Sequence, residues 1–125
     1  MTTLRLSATV LGTPDPRGLA AFYRDLLGWE TVADEPDWVM LRPAAGGPGL
    51  SFQLEAQHVA PVWPGGPGDQ QMQAHLDIGV NDLVAGVARA VALGASLADH
   101  QPQDDVRVLL DPAGHPLCLF ASPQA

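Results

Sequence analysis

The sequence predicts an α+β fold of two tandem β-α-β-β-β modules, forming a cupped mixed β-sheet with the helices on its outer face. Three observations carry this. A β-branched, apolar run leads into a capped helix twice, at Asp15-Pro16 and at Asn81-Asp82. Cap-to-terminator distances agree within one residue, 13 from Asp15 to Gly28 and 12 from Asp82 to Gly94. Each helix then precedes strand pairs flanking a turn-rich connector, and similarity at fixed spacing outweighs either segment alone. A single α+β domain whose halves agree by chance is the alternative.

The first copy opens with an apolar run near Leu4 to Leu11. Asp15 can accept orphan amide hydrogens, and Pro16 loses nothing at the first helical position. Leu19, Phe22, Tyr23 and Leu26 follow at helical spacing, and Gly28 suits a left-handed terminator. Strands near 30–33, Trp38 to Leu41 and Leu50 to Leu54 complete the copy, the last two flanking Pro43 to Gly49.

In the second copy Leu76, Ile78 and Val80 alternate with His75, Asp77 and Gly79. The helix carries Leu83, Val84, Val87, Ala90 and Val91 and stops at Gly94. Strands near 96–98, Val106 to Leu110 and Leu117 to Phe120 follow, the last two flanking Asp111 to Pro116. The modules span about 1–56 and 74–122 of one domain covering 1–125. The connector, 56–74, holds three prolines and three glycines with Trp63 and Met72. A connector of this length is a functional loop or a linker, and it can cross one face of a sheet.

At 125 residues the chain can bury a real core without disulfides or metal. Six Lys or Arg oppose 14 Asp or Glu, a formal charge of -8, with no basic stripe. Nucleic acid and anionic membrane surfaces are therefore poor partners. One cysteine excludes an internal disulfide and a multi-thiolate cluster. No long apolar run follows a basic start, so a soluble, cytoplasmic protein is expected. Gly46-Gly47-Pro48-Gly49 lacks the strand–loop–helix context of a phosphate loop and reads as a hairpin connector.

Alternation gives each strand two faces. Leu76, Ile78 and Val80 should meet the helices, leaving His75 and Asp77 on a polar face. Ser51, Gln53 and Glu55 lie opposite Phe52 and Leu54. Matching the copies pairs His75 with Ala8 and Cys118 with Gln53, and a pseudo-twofold would gather these four around one cup. Asp77 could orient the His75 ring. Trp38 and Trp63 could stack on a flat ligand. Arg107 is the one nearby cation expected to meet an anionic ligand, unless it pairs with Asp104 or Asp105. Cys118, in an apolar run, reads as a small hydrophobe, since nothing nearby would activate its thiol. His115 reads as a turn residue, and His58 and His100 as surface residues.

Asp15-Pro16, Leu19-Ala20-Ala21-Phe22-Tyr23, Leu26-Leu27-Gly28-Trp29, Phe52-Gln53, Trp63-Pro64, Gln71-Met72, His75-Leu76-Asp77, Leu93-Gly94-Ala95 and Asp111 to Cys118 occur in an order that resembles the vicinal oxygen chelate superfamily. This superfamily includes glyoxalase I, extradiol dioxygenases and bleomycin- or fosfomycin-resistance proteins. The resemblance is closest to its small glyoxalase-like domain proteins. It implies metal-ligand positions at Ala8, Gln53, His75 and Cys118. Ala8 cannot bind metal, Gln53 is a weak neutral donor, and Cys118 would bind zinc rather than build an oxygen-rich centre. No cofactor is therefore expected.

The expected function is binding of a small organic molecule by His75, Gln53, Asp77, Trp38, Trp63, Arg107 and Cys118, without a metal centre. The alternative is a metal-dependent lyase, isomerase or dioxygenase-like enzyme, with His75, Gln53 and Cys118 carrying a divalent ion. The resemblance also implies a homodimer.

Overall fold

A computed structural model describes all 125 residues. The chain divides into two compact units, Met1–His58 and Val59–Ala125, so the connector from Val59 onward folds with the second module. No helix is long and apolar enough to cross a membrane.

The first unit contains β1 (Ala8–Thr13), α1 (Pro16–Leu27), β2 (Glu30–Glu35), β3 (Trp38–Arg42) and β4 (Gly49–Leu54). They form a mixed four-stranded sheet of order β1-β4-β3-β2, in which β1 pairs parallel to β4. The strand begins later than the apolar run near Leu4 suggests. Its ladder starts where Ala8 meets Gly49, and Leu4 and Leu6 stay exposed. A strand needs a partner as well as a pattern.

Helix α1 starts as its sequence demands. The Asp15 carboxylate accepts the Gly18 amide at 3.0 Å, and Pro16 follows it. Gly28 ends the helix at φ 71°, donating its N–H to the Arg24 carbonyl. That left-handed conformation strains any side-chain-bearing residue. Leu19, Ala20, Phe22 and Tyr23 are buried. Tyr23 stacks on Phe52 of β4 at 5.8 Å and meets Phe22 edge-on at 4.9 Å. The apolar core of this module thus lies between α1 and the Val39, Leu41, Leu50 and Phe52 face.

The second unit repeats the plan with β5 (Leu76–Val80), α2 (Leu83–Leu93), β6 (Ser96–Leu97), β7 (Val106–Leu110) and β8 (Pro116–Ala121). Its sheet has the order β5-β8-β7-β6, and β5 again pairs parallel to the last strand. The Asp82 carboxylate caps α2 by accepting the Ala85 amide at 3.1 Å, and Gly94 ends it. The inward face of α2 is narrower than its apolar residues suggest. Ala90 is fully buried, but Val84 and Val91 are 82% and 47% exposed. Apolar residues nearly surround this helix, and one sheet can cover only one stripe of it.

Two side chains fix the geometry around β7 and β8. Asp111 is only 4% exposed, and its Oδ1 accepts the amides of Ala113 at 2.9 Å and His115 at 3.0 Å. The Asp111–His115 turn is thereby closed, which sets where β8 begins. Gln101 donates to the Ala98 and Val108 carbonyls and accepts the Val108 amide, tying the loop before β7 to that strand.

The register of the two sheets corrects the match between copies. Strands β4 and β8 are each six residues long with the same burial pattern, four buried then two exposed. Gly49 therefore corresponds to Pro116, Ser51 to Cys118 and Gln53 to Phe120. The partner strands keep His75 opposite Ala8 in the comparison. Gln53 and Ser51 share one face, so a slip of two residues preserves alternation. Hydrogen-bond pairing separates them where the pattern cannot.

Candidate functional site

The candidate site lies in the second unit, on the sheet face turned away from α2. Register places Asp77, Cys118 and Val108 side by side across β5, β8 and β7. Phe120 and Val106 form the next row of the same face. Gly79 pairs with Phe120, and a Cβ there would sit 3.2 Å from Phe120 Cζ. A bare backbone at Gly79 thus leaves the Phe120 ring its seat. A cavity of about 470 Å³ opens over this face. Trp63 from the connector and Gln103 and Asp105 from the loop before β7 complete its wall.

His75 immediately precedes β5, and its Nε2 lies 3.0 Å from Asp77 Oδ1. Trp63 stacks on the imidazole, ring centroids 5.1 Å apart at an interplanar angle of 23°. His100 meets the Trp63 ring from another side at 5.5 Å, edge-on. His100 is therefore part of the aromatic wall's support, not the free surface residue its loop composition suggests.

Cys118 is 4% exposed yet lines the cavity. Burial pushes its thiol pKa up, the negative charge of Asp77 pushes it further, and a hydrogen bond to Asp77 adds to both. The protonated thiol is thus the form the fold holds, and a nucleophilic thiolate is disfavoured. Native protein near neutral pH is expected to react with iodoacetamide at least about tenfold more slowly than a cysteine peptide. Labelling as fast as the peptide's would contradict this. The sign for stability follows from the raised value. Its contribution is constant below the ordinary thiol pKa of about 8.5 and is lost as pH rises through the folded value.

Four expected site residues gather here: His75, Asp77, Trp63 and Cys118. Trp38 and Gln53 belong to the first unit, where they are partners across β3 and β4 on the corresponding sheet face. The Gln53 amide donates to Glu55 at 2.7 Å. Arg107 is a correction. It pairs with Leu119, one residue out of step with Val106 and Val108, so it projects to the opposite face from Cys118. Its Nη1 donates to the carbonyls of Gln103, Asp104 and Val106, at 3.0, 3.1 and 2.8 Å. Alternation along β7 could have shown this. It could also have found Phe120, two residues beyond Cys118. No sequence signal marked Gln103 or Asp105, which a loop delivers.

His75, Asp77 and Cys118 place their donor atoms within 4.8 Å of one another. One nitrogen, one carboxylate and one sulfur make a zinc-like set. They do not make the oxygen-rich centre of the vicinal oxygen chelate enzymes. The counterpart of His75 is Ala8, without a donor, and the counterpart of Cys118 is Ser51, a neutral hydroxyl.

The model of the glyoxalase-like domain family matches residues 8–120. A search of curated protein sequences finds no match. Among solved structures, the chain is similar to a glyoxalase/bleomycin resistance protein/dioxygenase family enzyme from Burkholderia phytofirmans PsJN, with 18% identity and a TM-score of 0.72 over 94% of this chain and 98% of that one. A bleomycin-binding protein from Streptomyces verticillus, complexed with copper(II)-bleomycin, shares 18% identity at a TM-score of 0.61, covering 98% and 99% of the two chains. An antibiotic binding protein from Streptomyces sp. CB03234 shares 20% identity at 0.58, covering 97% and 98%. At such identities these structures establish a common fold, and the family match covers both modules. The chain belongs to the glyoxalase-like domain family of the vicinal oxygen chelate superfamily.

Proposed function

We propose that the protein binds a small organic molecule in the second-module cavity by stacking and hydrogen bonding, without a metal centre. The observation that carries this is the Trp63–His75 stack beside the cavity of about 470 Å³. Cavities of this size, with aromatic walls and few polar groups, suit drug-sized ligands. Three polar groups satisfy one another, since His75 and the Cys118 thiol both meet the Asp77 carboxylate, and Gln103 and Asp105 also line the cavity for a ligand to meet. Two proteins of the same fold bind antibiotics, one of them bleomycin. A thermal-shift screen of a chemically diverse library tests the reading. At least one compound should stabilise the native protein and not Trp63→Ala. A library without a stabilising compound would count against it.

A metal-dependent lyase, isomerase or dioxygenase-like activity is the second reading, favoured by the donor set within 4.8 Å. Metal analysis of untagged protein separates the two. Stoichiometric metal that disappears in His75→Ala would favour the enzyme, and metal-free protein is our expectation. We place the protein in the cytoplasm, where the Cys118 thiol stays reduced. The proposed macromolecular partner is a second copy of the chain, supported by exposed Val84 and Val91 on α2. Light scattering should return twice the 13.1 kDa chain mass. Monomers alone at micromolar concentration would remove this partner.

A further inference from the structure

Building on the cavity-binding reading, we infer that the ligand class is a flat aromatic cation, a fused-ring compound carrying a positively charged nitrogen. Charge decides this. Residues 59–125 carry seven aspartates, no glutamate and only two cations, Arg89 and Arg107. Arg89 lies on α2. Arg107 faces away from the cavity, with its guanidinium occupied by backbone carbonyls. No Lys or Arg lines the cavity, whereas Asp77 and Asp105 do.

The two carboxylates differ. Asp77 already meets His75 and the Cys118 thiol. Asp105 has no ion-pair partner. Its carbonyl accepts the Ala121 amide at 3.1 Å, which fixes its backbone beside the strand that carries Phe120. Trp63 and Phe120 supply aromatic surface to the same cavity. A flat ligand between these walls lies in the field of both carboxylates. A neutral ligand leaves their charge uncompensated, and an anion adds repulsion from Asp77. A ring cation compensates the carboxylate and is attracted to the aromatic faces.

The test is calorimetric titration with three probes of similar shape: 1-methylquinolinium, neutral 1-methyl-2-quinolone and anionic quinoline-2-carboxylate. The cation should bind about tenfold more tightly than the quinolone, and the carboxylate most weakly. Asp105→Asn should remove most of the cation's advantage, weakening the cation while the neutral quinolone binds no worse, and added salt should narrow the gap. Asp77→Asn, checked for native melting alongside Asp105→Asn, should narrow it less. Quinolone or carboxylate binding as tightly as the cation would overturn the inference. If that binding is lost in Trp63→Ala, the cavity reading stands and only its charge preference falls. Selectivity untouched by Asp105→Asn would overturn it equally. Failure of all three probes would also overturn it, and the library screen would then judge the cavity reading separately.

Discussion

Asp111→Ala is expected to cost about 2–4 kcal/mol of folding stability, read as a lower urea midpoint for unfolding. The carboxylate is buried and closes the turn before β8 through two backbone amides. Alanine would leave both amides without their charged acceptor in a partly buried turn. Asp111→Asn keeps one acceptor oxygen and should lose roughly half as much. The site should suffer with the fold, because this turn sets where β8 begins and so where Cys118 and Phe120 lie. An alanine variant as stable as the parent would show that the turn does not fix β8.

Trp63→Ala is expected to weaken binding of any cavity ligand by at least about tenfold, while Trp63→Phe keeps most of it. The indole stacks on His75 and receives His100 at its side, so its removal takes away a cavity wall and the packing that orders His75. The side chain is only half-buried, so stability should fall by no more than about 2 kcal/mol. Titration of both variants with one stabilising compound checks this. Unchanged affinity in the alanine variant would place the ligand elsewhere.

Much of this fold is legible from local chemistry. Asp15-Pro16, Asp82, Gly28 and Gly94 mark both helices because capping is decided within a turn. His75, Asp77 and Cys118 come together because strand alternation sorts faces reliably. Long-range pairing is less legible. Gln53 matched Cys118 in pattern, and only the ladder shows Ser51 to be its counterpart. Arg107 seemed the natural cation for the cavity from composition, but its place in the alternation of β7 sends it to the other face. His100 and Asp105 reach the site through loops, whose paths carry no periodic signal. With Arg107 on the other face, no Lys or Arg lines the cavity, and Asp105 is among its lining residues.

The most direct measurement is a Trp63 fluorescence titration with a stabilising compound, before and after exhaustive chelation of the protein. Trp29→Phe and Trp38→Phe in the background leave Trp63 as the only indole. Saturable quenching with the same dissociation constant in both preparations is the expected result. Binding that vanishes on chelation and returns with a divalent ion would contradict a metal-free site.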